Sequence, residues 1–135
     1  MRRNKKTVKN NEYYRKKAST LAKKIVRTKH NFTCEYCGKK EPQVKTHGSH
    51  IYSEGTYRGM SCDFDNILCL CYTHHLGGYM QTKEPSWHKN PMEMVEWFRK
   101  KYPKRADKLR IKAQHPIKKD FKVRLEELKK QINNF

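Results

Sequence analysis

Two short stretches of the sequence, "CEYCG" and "NILCLCYTHH", carry the residue types that bind metals. In the first, Cys34 and Cys37 are three residues apart, a spacing at which two thiolates chelate one ion. In the second, Cys71 and His74 have the same spacing. We therefore predict a closed tetrahedral site made of these four residues. Zinc is the ion that suits three thiolates and one imidazole.

One alternative for the second half of this site stays open. Cys69 and Cys71 are two residues apart, so on a strand both thiols would lie on the same side. Cys69 could then replace His74 as the fourth ligand, and otherwise it is a small buried apolar residue. Cys62 has no partner at ligand spacing and is predicted to be a free thiol. The odd total of five cysteines, with a close C-x-x-C pair, favours metal binding over a disulfide framework.

If His74 binds zinc, its neighbour His75 is left over for other chemistry. Another histidine, His50, lies in "HGSHIY" and is followed by apolar residues that predict a strand. Hydrolysis of a phosphodiester needs a water nucleophile, a base to take its proton and positive charge on the departing oxygen. Because a neutral imidazole is a suitable base near pH 7, His50 is a candidate for that base.

The elements predicted around these residues make an α+β protein. The stretches "QVKTHGSHIY" and "NILCLCY" predict a β-hairpin with a long loop, and a short helix is expected from about His74. A basic disordered arm is predicted over 1–11 and a basic amphipathic helix over 12–29. The phrase "NPMEMVEWFRKKYP" predicts a further helix, capped by Asn90 and ended by Pro103.

The remaining parts of the chain are assigned as two regions. Residues 30–103 form the zinc-finger core with its following helix, and 104–135 form a C-terminal helical extension. Apolar residues recur in that extension at steps of four and three, which is a short coiled-coil-like seam. Docking of the seam on the chain's own core is favoured over a weak homodimer. The seam consists of Phe121, Leu125, Leu128, Ile132 and Phe135.

The composition indicates which kind of partner the protein binds. The 135 residues are the length of one domain. With 35% hydrophobic residues its core is so small that the fold is expected to need additional stabilisation, such as a bound metal ion. The formal net charge of +19 is most simply neutralised by a polyanion, so nucleic acid is the expected partner. No apolar run approaches the length of a membrane-spanning helix, so no membrane partner is expected and a cytoplasmic location is predicted.

The order of these residues resembles the HNH, or ββα-metal, nuclease family. In its closing phrase an Asn is followed after five residues by a Cys, three further on by a second Cys, and next by a His. Asn66, Cys71, His74 and His75 keep that spacing, with His74 where the second cysteine usually lies. The flanks "LAKKIVRTKHNFTCEYCGK" and "SWHKNPMEMVEWFRKKYP" look like those of phage NinG (Rap) recombination endonucleases, a resemblance that covers about residues 17–110.

The resemblance implies a small zinc-braced ββα-metal core with flanking helices, and a metal-dependent DNA endonuclease or nickase. It implies that His50 is the general base, that Asn66 orients it or contributes to the metal site, and that His75 binds one catalytic divalent cation, Mg²⁺ or Mn²⁺. The implied substrate is duplex or branched DNA in phage recombination or processing, and the location is then the host cytoplasm.

Many members of the family have an Asp or His directly before the base, whereas this chain has Ser49 there. His47, Asp63 and Asp65 are the available substitutes for this second cation ligand, and His47 and Asp63 are ranked equally among them. Arg58, in the long hairpin loop, is a candidate for contact with a phosphate. The alternative function is a catalytically inactive zinc-dependent nucleic-acid-binding module, which has no need of an imidazole at His50.

Overall fold

The fold is α+β, as the sequence predicts, in a computed structural model that describes residues 10–79 and 83–134. Its sheet has two antiparallel strands, and none of the described helices is long and apolar enough to cross a membrane. A short π-helical turn follows the second strand at Thr73–Gly77. The other elements are α1 (Asn11–Lys29), β1 (Thr46–His50), β2 (Ile67–Cys71), α2 (Pro91–Lys101), α3 (Pro103–Gln114) and α4 (Phe121–Ile132).

The hairpin is the centre of the molecule and separates two apolar clusters. Its register pairs Thr46 with Cys71 and His50 with Ile67, and every residue of β2 is buried. Since successive side chains of a strand point to opposite faces, β2 serves both clusters at once. One cluster joins Ile67 and Cys69 to α1 and α4, and the other joins Leu68 and Leu70 to α2, α3 and the "CEYCG" turn. Cys71, the last residue of β2, departs from this alternation and belongs to the second cluster.

Helices α1 and α4 pack against each other through the seam described above. Phe121, Leu125 and Leu128 are buried in the cluster that contains the apolar face of α1. The side chain of Asn11 joins the two helices, because its amide donates to the Lys119 carbonyl at 3.0 Å and accepts from the Phe121 N–H at 2.9 Å. Within the described residues, the seam therefore docks on the chain's own core.

The predicted start of the chain differs at two residues. Asn10 and Asn11, placed in the disordered arm, instead cap and begin α1, since the Asn10 side chain accepts a hydrogen bond from the Tyr13 N–H at 3.0 Å. The rest of that arm lies outside the described residues.

Asn90 is at the N-cap position of α2, as predicted, but its side chain makes no cap hydrogen bond there. Its side-chain oxygen instead accepts from the Ser86 N–H at 3.1 Å and so closes the preceding turn. Pro103 does end α2, and it also takes the first position of α3, where proline is well tolerated.

Candidate metal centre and histidine sites

Three of the four predicted zinc ligands meet at one point. The sulfur atoms of Cys34, Cys37 and Cys71 all lie within 4.8 Å of one another, and those of Cys37 and Cys71 are 3.8 Å apart. A tetrahedral zinc ion with Zn–S bonds of about 2.3 Å would space its sulfurs by about 3.8 Å. The three thiols therefore could hold a metal ion such as zinc.

The turn that carries Cys34 and Cys37 is shaped by its backbone. The Cys34 N–H donates to the Lys39 carbonyl at 2.8 Å, and the Gly38 N–H donates to the Cys34 carbonyl at 2.9 Å. Gly38 has a φ of 79°, in the left-handed region that a residue without a Cβ adopts freely. This tight turn brings two thiols, three residues apart, to the end of β2.

Hydrogen bonds at the sulfurs favour the thiolate of Cys34. A bond from the Cys71 thiol, helped by backbone N–H groups that point at the sulfur, lowers the pKa of Cys34. The same contact raises the pKa of Cys71. A thiolate rather than a thiol is the form that binds metal.

His74 is not in the group of ligand atoms that meet at this point, so its predicted role as the fourth ligand stays a prediction. Its Nδ1 lies 2.9 Å from the Pro85 carbonyl oxygen, its Nε2 lies 3.3 Å from a carboxylate oxygen of Glu84, and its ring packs on Tyr36 with centroids 4.2 Å apart. Oxygens of the following segment therefore lie close to both ring nitrogens. The alternative ligand, Cys69, is also outside the cluster and packs in the core beside α1.

A carboxylate that the sequence argument missed ties the cysteine turn to the rest of the fold. Glu35 is buried, and it accepts hydrogen bonds from the Cys69 N–H at 2.7 Å and the Tyr102 hydroxyl at 2.9 Å. Arg105 also lies 3.4 Å from it. The sequence signal for Glu35 was an acidic residue between two predicted ligand cysteines, but the hydrogen-bond partners of Glu35 lie far away along the chain.

The hydrogen bonding of His50 is that of a neutral imidazole with one nitrogen able to accept a proton. Its Nε2 lies 2.8 Å from the Ser61 carbonyl oxygen, which can only accept, so Nε2 carries the hydrogen and Nδ1 carries the lone pair. Among the described residues none hydrogen-bonds to that Nδ1. Burial lowers the pKa of His50, whose side chain is 8% exposed, and this favours the neutral form.

A second carboxylate that the sequence argument missed lies beside His50. A Glu54 oxygen is 3.9 Å from His50 Nε2. Helix α1 holds that oxygen, because the Ser19 hydroxyl donates to it at 2.7 Å and the Arg15 guanidinium at 3.1 Å. The other Glu54 oxygen pairs with Lys23 at 3.6 Å. The negative charge of Glu54 raises the pKa of His50 against the larger effect of burial.

The Asn66 side chain hydrogen-bonds to backbone groups and makes no hydrogen bond to His50 among the described residues. Its side-chain oxygen accepts from the Tyr52 N–H at 2.8 Å, and its amide donates to the carbonyls of Tyr52 and Met60, each at 3.0 Å. These bonds close the loop between the two strands. Since the loop includes Ser61, the contact partner of His50, Asn66 fixes the position of that partner.

Three histidines form a second site beside the hairpin. The Nδ1 atoms of His47 and His75 are 2.9 Å apart, and the rings of His75 and His88 have centroids 4.9 Å apart. Burial, together with the charges of His47 and His88, lowers the pKa of His75 to about 4. We call these three residues the histidine cluster. His47 is therefore the one of the two equally ranked substitutes that contacts His75.

The two histidines expected to work together have different hydrogen-bond partners. His47 and His50 point to opposite faces of β1, and His47 contacts His75 while His50 contacts Ser61. No hydrogen bond joins His50 to His75 in the described part of the chain. The charge of His50 nevertheless contributes to the lowered pKa of His75, so the two rings interact electrostatically.

The remaining two predicted residues are elsewhere. Asp63 is not at the histidine cluster, which corrects that assignment: its carboxylate pairs with the Lys112 ammonium and accepts from the Asp65 N–H at 3.0 Å. Lys112 belongs to α3, so the acid is used to seat that helix. Arg58 has a side chain 66% exposed, with its Nε 4.0 Å from Glu12, and is open to solvent.

Comparison of the chain with protein-family models, curated proteins and solved structures finds no match. The resemblance to HNH nucleases therefore stays a prediction that rests on the motif residues of this sequence.

Proposed function

We propose that this protein is a metal-dependent DNA endonuclease or nickase of the HNH type. The observation that carries the proposal is the hydrogen bond of 2.8 Å between His50 Nε2 and the Ser61 carbonyl. It fixes the tautomer in which Nδ1 accepts a proton, in an imidazole that burial keeps neutral. A solvated surface histidine has neither property.

The chain's own groups support the proton transfer. His50 Nδ1 takes a proton from the attacking water, while Nε2 keeps its hydrogen on the Ser61 carbonyl. The ring then becomes a cation, and Glu54 at 3.9 Å stabilises that charge. Asn66 holds the loop that carries Ser61, so it acts as a positioning residue.

The catalytic cation is assigned to His75 and His47. Their Nδ1 atoms are close enough to share one ion, and a lowered pKa keeps both imidazoles unprotonated as ligands. A divalent cation such as Mg²⁺ or Mn²⁺ bound there would supply positive charge for the phosphate and the departing 3′-oxygen. The three thiols would hold a structural zinc that fixes the end of β2.

DNA is the proposed substrate because the chain has 32 Lys and Arg against 13 Asp and Glu. Binding that neutralises several phosphates weakens steeply with salt, since each released counterion contributes to the slope. Duplex or branched DNA in phage recombination or processing is the proposed setting, with the host cytoplasm as the location.

The second candidate is a nucleic-acid-binding module without catalysis. The observation that favours it is that no hydrogen bond joins His50 to His75 in the described part of the chain. A module of this kind would use the same basic surface and the same zinc-braced core, and it would not need either imidazole.

The experiment is plasmid nicking by His50→Ala, with His115→Ala as the matched control because His115 is exposed and outside both histidine sites. In Mg²⁺ or Mn²⁺ we expect His50→Ala to lose about 10²-fold or more in rate, the usual contribution of a general base. DNA binding, measured by fluorescence anisotropy, should stay within about twofold of wild type.

The two candidates give different results. Equal nicking by wild type and His50→Ala would reject the base assignment. Salt-dependent DNA binding without nicking by the wild type, across duplex, nicked, single-stranded and four-way-junction DNA and a panel of divalent ions, would establish the binding module instead.

A further inference from the structure

A cavity of about 870 Å³ lies between the start of α1, the loop that joins β1 to β2, and the α3–α4 linker, residues 115–120. In the described part of the chain, none of the residues proposed above as base, positioning or metal-binding groups lines it. We propose that this cavity binds one unpaired nucleotide of the DNA substrate, with the base inside and a phosphate at the rim. The inference rests on the proposed function, because that function supplies DNA as the partner.

The walls of the cavity are held together by contacts already present. The Asn11 side chain ties the linker to α1, since its amide donates to the Lys119 carbonyl at 3.0 Å. The hairpin loop touches the same linker, because a Cβ on Gly59 would lie only 2.5 Å from the Ile117 carbonyl oxygen. A cavity with walls fixed in this way needs little reorganisation before it takes a ligand.

The size and the apolar part of the lining suit a nucleobase. Pockets for small molecules usually have volumes of about 300–1,000 Å³. Tyr57 and Ile117 line the cavity together with the buried side chains of Met60 and Phe121. The Tyr57 ring is held edge-on by Tyr52, with ring centroids 5.1 Å apart. Flat base faces pack well on aromatic and apolar side chains of this kind, whatever the base.

The charge of the lining suits a phosphate. Five basic residues and two acidic residues line the cavity. Both acids are already paired, Glu12 with Arg15 at 2.7 Å and Asp63 with a lysine of α3. Lys118 and Lys119 are exposed, and neither ammonium group makes an ion pair with a described residue. The rim therefore has positive charge that the chain itself does not neutralise, which favours a ligand with both a base and a phosphate.

The cavity is close to the proposed base without including it. Arg15 lines the cavity, and its guanidinium bonds the same Glu54 oxygen that lies 3.9 Å from His50 Nε2. The cavity is thus on the Nε2 side of His50, away from the Nδ1 that takes the proton. A nucleotide bound there flanks the cleaved bond, and an unpaired one is favoured because extrusion of a paired base costs the energy of pairing and stacking.

The test is DNA binding by fluorescence anisotropy, with the full chain in zinc-containing buffer and no added Mg²⁺ or Mn²⁺. Three labelled DNAs are compared: a paired duplex, the same duplex with one extra unpaired nucleotide, and that second duplex with the base of the extra nucleotide removed. We expect the duplex with the unpaired base to bind about tenfold tighter than the other two, as the stacking of one base allows.

Two pairs of variants locate the effect. Ile117→Asp should remove the preference, whereas Ile111→Asp should keep it, because both isoleucines are exposed and Ile111 is not a lining residue. Lys118→Glu, at the rim, should reduce the preference about threefold or more, whereas Lys104→Glu should weaken binding of all three DNAs equally. Thermal melting checks that each variant is folded.

Several results would overturn the inference. Equal affinity for the three DNAs is one, and equal affinity for the duplexes with and without the extra base is another, since the preference would then come from DNA bending. A third is a folded Ile117→Asp variant that keeps the wild-type preference. Micromolar binding of free dAMP without any preference for the unpaired base would assign the cavity to a free nucleotide instead.

Failure of this inference and failure of the proposed function are distinguishable. If the preference depends on Ile117 but no DNA is nicked in any divalent ion, the nucleotide site stands and the nuclease proposal fails. If DNA is nicked but the three DNAs bind equally, the nuclease proposal stands and the nucleotide site fails.

Discussion

Gly48, in the middle of β1, lies where α1 crosses the hairpin and leaves no room for a side chain. A Cβ at this position would lie 2.5 Å from Lys23 Cβ, 2.6 Å from Lys23 Cγ and 3.0 Å from Lys23 Cα. Two of those three atoms are fixed to the helix backbone, so a change of the Lys23 rotamer does not relieve the overlap. We predict that Gly48→Ala pushes α1 away from the strand and destabilises the fold.

The magnitude follows from two opposing effects. Overpacking of a well-packed contact costs about 1–3 kcal/mol. Replacing glycine by alanine also restricts the unfolded chain, which returns about 0.4–1 kcal/mol where the new residue fits. The net loss in the free energy of unfolding is then about 1–2 kcal/mol, or a fall in Tm of several degrees for a domain of this size.

The assay is urea unfolding followed by circular dichroism, at a fixed excess of zinc. Gly55→Ala is the matched control, because a Cβ there meets no atom within 4 Å and the backbone needs no positive φ. We expect this control to be as stable as wild type or slightly more so. Equal stability of Gly48→Ala and Gly55→Ala would refute the close packing of α1 on β1.

Two further predictions concern the sites themselves. Cys71→Ser, or treatment with a strong chelator, should lower Tm by about 10 °C or more if zinc joins the three thiols, because structural zinc contributes on the order of 10 kcal/mol to folding. Differential scanning calorimetry with and without zinc checks this. An unchanged Tm would argue against a structural metal. Glu54→Gln removes the charge that raises the pKa of His50, while burial still lowers that pKa from 6.5. The acid limb of the pH–rate profile and the NMR titration of His50 should therefore both move to lower pH, and a move to higher pH would contradict the contact.

The cysteine turn and the hairpin could be predicted from the sequence because their signals are local. The C-x-x-C spacing with a glycine fixes a tight turn, and the β-prone stretches fix where β1 and β2 lie. The place of His74 could not be predicted in the same way, because the three-residue spacing assumes a regular turn, whereas a π-helical turn follows β2 and the ring contacts the Pro85 carbonyl.

The other failures came from partners that are distant along the chain. Asp63 was a plausible cation ligand by its position, but Lys112 of α3 pairs with it. Glu35 and Glu54 were overlooked for the same reason, since their partners belong to α3 and α1. Ion pairs of this kind depend on how helices pack, and neither periodicity nor motif spacing contains that information.

The short strand β2 links the thiol cluster to both histidine sites. At one end Asn66, the residue before β2, binds the loop that carries Ser61 and so positions the contact of His50. At the other end Cys71 joins the thiol cluster, and His75 follows within the next turn. Loss of a metal at the thiols would therefore disturb the histidine cluster first, since His75 lies only four positions after Cys71, while the bonds of Asn66 hold the far end of the strand. On this reasoning the proposed zinc has its main effect on the cation ligands, and the proposed base depends chiefly on Asn66.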